Sequence, residues 1–120
     1  MTVSDACRSI ENLIYSYAER IDAGDFAGVA ALFRHGRIEA VPGVFIEGED
    51  QVLGLYESST RRYDDGTPRT RHMTTNVMIT VDDTGDSANA RTYYTVFQQT
   101  EELPLQAIIS GHYHDSFHLV

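Results

Sequence analysis

The chain has 120 residues, of which 42% are hydrophobic and 22% are charged, a composition typical of one soluble globular domain. Eighteen acidic residues stand against nine arginines and no lysine, so the net charge is -9. This charge argues against nucleic acids and anionic membranes as partners, and the absence of lysine excludes Schiff-base chemistry and covalently held pyridoxal phosphate.

The cysteine content and the N-terminal sequence predict a cellular location. Cys7 is the single cysteine, which excludes an intrachain disulfide and agrees with a reducing compartment. Asp5, Arg8 and Glu11 interrupt the apolar stretch that a signal peptide would need, and no later window approaches the ~20 apolar residues of a membrane span. We therefore expect a cytoplasmic protein.

The first half of the chain has mainly helical spacing. Apolar residues three and four positions apart predict a helix that is capped by Ser4 and ends at Gly24, and Asp25 is the expected cap of a second, shorter helix. Three further elements are predicted before the spacing changes: strands at 37–41 and 44–47 and a helix at 48–63.

The second half of the chain has the spacing of strands. Three long strands are predicted after a polar loop, over residues 69–81, 87–100 and 105–119. The short turns between them join antiparallel neighbours. Helices followed by a meander predict an α+β fold in which helices cover one face of a curved sheet.

Three stretches of this sequence are similar to one known family. They are YSYAERIDAGDF at 15–26, RHMTTN at 71–76 and GHYHDSF at 111–117. In this order they resemble the opening, the first long strand and the penultimate strand of SnoaL-like proteins, which belong to the nuclear transport factor 2 fold superfamily. The superfamily includes scytalone dehydratase, steroid Δ-isomerase, bile-acid dehydratase, dehydrochlorinase, polyketide cyclases and noncatalytic dioxygenase subunits, so the fold alone does not decide the function.

The resemblance implies a definite architecture. Residues 1–120 are expected to form a single SnoaL-like domain, with a cone-shaped, curved mixed β-sheet wrapped around N-terminal helices and enclosing a pocket. Relatives usually continue into one more strand, whereas this sequence stops at Val120, so either the sequence is truncated or the sheet ends one strand early.

Two residues match the catalytic pair of the scytalone dehydratase and dehydrochlorinase branch. Asp22, near the end of the first helix, resembles its aspartate, and His72 resembles its histidine. A carboxylate bonded to one imidazole nitrogen fixes the tautomer and supports the other nitrogen as a base. Taken singly, Asp22 is better explained as an exposed acid near a helix end, and His72 as a hydrogen-bonded histidine in a half-buried strand. The joint match favours an Asp–His dyad.

Other residues resemble substrate-binding groups of the superfamily. Tyr17 matches the oxyanion-donating tyrosine of the steroid isomerase branch, and Asp115 matches its protonated, hydrogen-bond-donating acid. The general base of that branch would fall at Ala40, which disfavours steroid isomerisation by its mechanism. The remaining expected substrate contacts are Gln98, Tyr113, Phe117 and Asn76.

Alternation along the first long strand predicts what its two faces carry. The face of His72 is predicted to include Thr74, Asn76, Met78 and Thr80. The opposite, outer face is predicted to include Met73, Val77, Ile79 and Val81, and we expect it to pack on a second copy in a homodimer.

Histidines in the last predicted strand have the spacing of metal ligands. His112 and His114 would point the same way, and His118 follows four residues later. If Tyr113 and Asp115 face inward, these histidines lie on the outer face. The family resemblance implies no metal and no cofactor.

The sequence therefore favours a cofactor-independent lyase, isomerase or cyclase. Asp22 and His72 would abstract a proton from a small hydrophobic, cyclic or polyketide-like substrate, leading to dehydration, cyclisation or isomerisation. The alternative is a noncatalytic ligand-binding or accessory subunit of the same fold, which keeps the pocket without turnover.

Overall fold

The computed structural model describes residues 2–119 and contains the predicted elements in the predicted order. The helices are α1 (Val3–Asp22), α2 (Phe26–Leu32) and α3 (Gly48–Ser59). The strands are β1 (Arg37–Val41), β2 (Val44–Glu47), β3 (Thr70–Val81), β4 (Ser87–Gln98) and β5 (Gln106–His118). Strands β1 and β2 pair with each other, while β3, β4 and β5 form a curved, open antiparallel sheet in that order. The predicted α+β class is confirmed.

The described residues group into two compact units. One unit is built from the chain up to Ala18 together with the residues from Arg71 onward, and it holds most of α1 and the three-stranded sheet. The other unit is Glu19–Thr70, with the end of α1, the two shorter helices and the β1–β2 hairpin. Within residues 2–119, no helix combines the length and apolar character needed to cross a membrane.

Helix α1 begins earlier than the sequence predicted. The backbone N–H of Asp5 donates to the Thr2 hydroxyl at 3.0 Å, and the Thr2 N–H donates to the Asp5 carboxylate at 3.1 Å. This reciprocal pair satisfies two helix-terminal donors, so the assignment of the N-cap to Ser4 is wrong. The predicted cap of α2 is confirmed, because the Asp25 carboxylate accepts from the Gly28 N–H at 2.9 Å.

In the first unit, α1 packs its apolar stripe on one face of the three-stranded sheet, which we call the inner face. Ile10 and Ile14 of α1 form a buried cluster with Ala88 and Ala90 of β4. Four half-buried side chains surround this cluster: Val77, Ile79, Val81 and Phe117. The small residues of β4 let the helix approach the sheet, and burial of this apolar surface stabilises the unit.

An irregularity in β3 changes which of its side chains lie on the inner face. Asn76 has a φ of 53°, in the left-handed region that Asn tolerates better than most residues. The alternation of exposure shifts by one position at this residue: His72 and Thr74 are half-buried before it, and Val77 and Ile79 after it.

The β3 irregularity overturns both face predictions for the second half of this strand. Asn76, Met78 and Thr80 are exposed and do not share the face of His72, so that prediction is wrong. The assignment of Val77, Ile79 and Val81 to the outer face is also wrong, because these three residues pack against the α1 cluster.

In the second unit, the corner between α1 and α2 fits closely against the loop that precedes β3. Gly24 has a φ of 75°, and a Cβ placed on it would overlap the carbonyl oxygen of Gly66. Arg62 donates to the Gly24 carbonyl oxygen at 3.0 Å, lies over the Phe26 ring at 3.9 Å and pairs with Glu57 at 3.0 Å. The chain leading into β3 is therefore held against the end of α1.

Candidate functional site

Strand β5 carries polar and aromatic side chains on the inner face of the sheet. Tyr113, Asp115 and Phe117 alternate with exposed residues and are half-buried. This is the alternation that the sequence predicted for the three residues, and it holds because β5 has no irregularity in this part. Phe117 packs against the α1 cluster, whereas Tyr113 lies beside other aromatic rings. Their contact with a substrate stays a prediction.

Three tyrosines form an aromatic cluster on this face. The Tyr94 and Tyr113 rings stack with centroids 4.3 Å apart, and Tyr17 of α1 meets Tyr113 edge-on at 6.0 Å. Gly111 lies opposite Tyr94, and a Cβ placed on it would come within 2.8 Å of the Tyr94 hydroxyl oxygen. Because Gly111 has no side chain, the Tyr94 ring can lie directly over β5 at this position. We call Tyr17, Tyr94 and Tyr113 the tyrosine cluster.

Asp115 is an acid in an apolar setting. It lies directly opposite the buried Ala90 in the β4–β5 ladder, and it faces the same side as Tyr113 and Phe117. Burial raises the pKa of the Asp115 carboxyl above its ordinary value, and the neighbouring charge of His114 partly offsets this rise. A carboxyl that stays protonated at higher pH can donate a hydrogen bond to a developing oxyanion.

The raised pKa of Asp115 predicts a pH-dependent stability. Above the ordinary value of 3.8 the unfolded carboxyl ionises first, and the folded one, whose pKa is raised, loses its proton only at a higher pH. The free energy of unfolding should therefore fall as pH rises toward the raised pKa. Asp115→Asn removes this titration and is expected to be more stable than wild type at pH 7, with a difference that disappears below pH 3.8. Urea unfolding at a series of pH values measures it. Equal slopes in the two proteins would contradict the assignment.

Asp22 belongs to the second unit and is held by a hydrogen bond. It is the last residue of α1 and half-buried, and the Thr70 hydroxyl donates to its Oδ1 at 2.9 Å. Thr70 opens β3 two residues before His72, and strand residues two apart point to the same side. Sequence reasoning missed Thr70. The available signal was its position two residues before a predicted catalytic histidine.

His72 lies in the first unit, where it is half-buried in the regular part of β3. Because Asp22 and His72 belong to different units, their pairing stays a prediction.

Gln98 is the last residue of β4 and half-buried. Asn76 is exposed and lines a groove of about 590 Å³ between α1 and β3, together with Cys7 and other side chains.

The outer face of the sheet carries the histidines of β5. The His112 and His114 rings meet edge to face with centroids 5.1 Å apart, and Tyr93 lies directly opposite His112. A second groove of about 240 Å³ is lined by Arg91 and His114 and also by Asp115. Across residues 2–119, no three His, Cys, Asp or Glu side chains are grouped in a way that could hold a metal ion.

Comparison with protein families gives one match over nearly the full length of the chain. The model of the SnoaL-like domain matches residues 3–120. The match begins within the first turn of α1, and it includes the β1–β2 hairpin and all three long strands. Among curated proteins, none matches the chain significantly.

Solved structures show the same fold. A scytalone dehydratase-like protein from Novosphingobium aromaticivorans DSM 12444 is 22% identical, with a TM-score of 0.72 over 98% of this chain and 79% of that chain. An NTF2-like protein with a cystatin-like fold from the same organism is 20% identical, with a TM-score of 0.77 over 97% and 73%. ActVI-ORFA from Streptomyces coelicolor is 19% identical, with a TM-score of 0.73 over 89% and 80%. Identities this low show the fold alone.

Proposed function

The chain belongs to the SnoaL-like domain family, and we propose that it is a cofactor-independent enzyme of the dehydratase, cyclase or isomerase type. Its substrate is a small cyclic or polyketide-like molecule with an acidic C–H bond next to a carbonyl group. The fold shared with a scytalone dehydratase-like structure is compatible with this class, and the choice of class rests on the groups of the inner face.

One observation carries the proposal: the inner face of the sheet holds Asp115, an acid whose pKa burial raises, two positions along β5 from Tyr113 of the tyrosine cluster. A helix-facing sheet surface is ordinarily apolar, and around Ala88 and Ala90 it is apolar here as well. Asp115 and the tyrosine cluster interrupt that surface. Perturbed ionisable groups on an inner surface are typical of functional sites.

In the proposed reaction, His72 accepts the proton from the substrate carbon. The electron pair of the broken C–H bond moves into the carbonyl group and forms an enolate, whose oxygen receives hydrogen bonds from Asp115 and Tyr17. In a dehydration, the enolate then expels a β-hydroxyl group, which leaves as water after taking the proton from His72. In an isomerisation, the proton returns to another carbon.

Asp22 has the role of orienting His72 in this proposal. A carboxylate that accepts from one imidazole N–H fixes the tautomer in which the other nitrogen is a base. The hydrogen bond from Thr70 to Asp22 supports this role, because it fixes the carboxylate next to the start of β3, the strand that carries His72. Gln98 and Asn76 are proposed as polar contacts with the substrate.

The test is a panel of three compound classes: enolisable cyclic ketones, hydroxylated dihydroaromatics and polyketide-like lactones. Product formation and binding are measured separately for each. Turnover of at least one member supports the proposal and identifies the reaction type from its product. Tight binding of several members with no turnover of any would instead support a noncatalytic ligand-binding subunit.

We also propose a homodimer through the outer face of the three-stranded sheet. Met73, Met78 and Tyr93 are exposed apolar side chains on this face, and a second copy would cover them. Sedimentation of wild type is expected to give twice the chain mass, and Tyr93→Glu is expected to give the monomer mass because it places a charge in the contact. A monomeric wild type at micromolar concentration would contradict the dimer.

A further inference from the structure

The centre of β4 contains a buried hydroxyl group that the fold does not use. Thr92 is 1% exposed, and its Oγ1 has no hydrogen-bond partner anywhere in residues 2–119. Buried hydroxyl groups are nearly always paired, since leaving one unpaired costs free energy. Valine has almost the same shape and would fill this position without that cost. The hydroxyl at Thr92 therefore has no structural explanation within the described residues.

The neighbours of Thr92 are the groups of the candidate site. In the β4–β5 ladder Thr92 lies directly opposite Tyr113, and the next inner-face positions on β4 are Ala90, opposite Asp115, and Tyr94, opposite Gly111. Asp115 is thus a diagonal neighbour of Thr92, at a spacing of roughly 7–8 Å between Cα atoms in such ladders. An oxygen atom lying between the two side chains can accept from both.

The tyrosine cluster that borders Thr92 is accessible at its edge. Tyr17, Tyr94 and Tyr113 are each only half-buried, although Thr92 beside them is almost fully buried. The stacked pair of Tyr94 and Tyr113 lies toward Gly111 rather than toward Asp115. The half-buried edge of the cluster is therefore the side from which a planar ring would approach Thr92.

We propose that Thr92 is a ligand-binding residue whose hydroxyl donates a hydrogen bond to the oxygen of a planar phenol or enol bound on the inner face. This inference rests on the proposed function and adds a specific contact to it. The bound oxygen receives donors from two strands, Thr92 on β4 and Asp115 on β5. The unpaired hydroxyl of the free protein is the group that this ligand oxygen satisfies.

The probe for this contact is 2-naphthol, a planar fused-ring phenol whose fluorescence reports binding. Thr92→Val is expected to weaken its binding about tenfold, equivalent to about 1.4 kcal/mol, while Tm stays at least as high as in wild type. Thr92→Ser keeps the hydroxyl and is expected to bind like wild type. The matched control is Thr95→Val on the same strand, because the Thr95 hydroxyl already has a partner in Ser110 at 3.2 Å.

The outcomes separate this inference from the catalytic proposal. Unchanged affinity in Thr92→Val overturns the inference, and so does a wild type that does not bind 2-naphthol. A lower Tm in Thr92→Val, or an equal loss of affinity in Thr95→Val, assigns the hydroxyl a structural role and overturns it as well. The catalytic proposal is judged by turnover of the panel, which none of these binding measurements decides.

Discussion

Replacing His72 with alanine is expected to lower kcat by about a thousandfold, with substrate binding nearly unchanged. The imidazole is the proposed base for the C–H proton, and the chain has no lysine that could take over this role. Its interaction with the substrate matters mainly in the transition state, so the loss falls on kcat rather than on affinity. Steady-state kinetics on the best member of the substrate panel, with separate equilibrium binding, measure both.

Two further variants test the proposed support of the base. Asp22→Asn is expected to lower kcat about a hundredfold, because an amide does not provide the negative charge that stabilises a protonated imidazole. Thr70→Val removes the 2.9 Å hydrogen bond to Asp22 and is expected to give a smaller loss of about tenfold. The three effects decrease in the order of the proposed roles: His72 takes the proton, Asp22 orients His72, and Thr70 holds Asp22.

His118→Ala is the matched control for this series. His118 is exposed at the end of β5, and its removal is expected to leave kcat unchanged. If His72→Ala turns over substrate as fast as wild type, the dyad hypothesis is wrong even though the enzyme class survives. Equal losses in His72→Ala and His118→Ala would indicate a general effect of losing a histidine rather than loss of a base.

Gly24→Ala is expected to lower the free energy of unfolding by about 3 kcal/mol. Two effects add at this position: the φ of 75° is unfavourable for alanine, and the new Cβ would overlap the backbone oxygen of Gly66. The Gly66 oxygen belongs to the backbone and cannot rotate away as a flexible side chain can. The α1–α2 corner and the loop that contains Gly66 must therefore move apart. Urea unfolding measures the loss.

Gly43→Ala separates the two effects. Gly43 has a similar φ of 80°, but a Cβ placed there would meet no atom within 4 Å. This variant should lose only the backbone contribution, about 1 kcal/mol. Equal losses in the two variants would mean that the contact between Gly24 and Gly66 contributes nothing to stability.

Much of the fold follows from local features of the sequence. The order of helices and strands could be predicted because apolar spacing changes from helical to alternating at a polar loop, and each boundary carries a turn residue. The inner-face positions of Tyr113 and Asp115 could be predicted for the same reason, since β5 is regular in that part and alternation continues along it.

The faces of β3 depended on one residue whose conformation the sequence does not reveal. Asn76 adopts a positive φ in the middle of a strand, with no glycine or proline nearby to signal it. A shift of one position moves every later side chain to the other face, so Val77 and Ile79 are core residues rather than outer ones. Because Val77 and Ile79 pack against α1, they do not form an exposed apolar surface that a second copy could cover.

The secondary-structure elements, the family resemblance and the identity of the candidate groups can all be read from the sequence. The environment of those groups appears only in the folded protein: the hydrogen bond that joins Asp22 to Thr70, 48 positions away, the burial that raises the pKa of Asp115, and the unpaired hydroxyl of Thr92. Apolar periodicity is a relation between residues that are close together in the sequence, so it can be read from the sequence alone. Hydrogen-bond partners and desolvation depend on residues distant along the chain, and they exist only once the chain has folded.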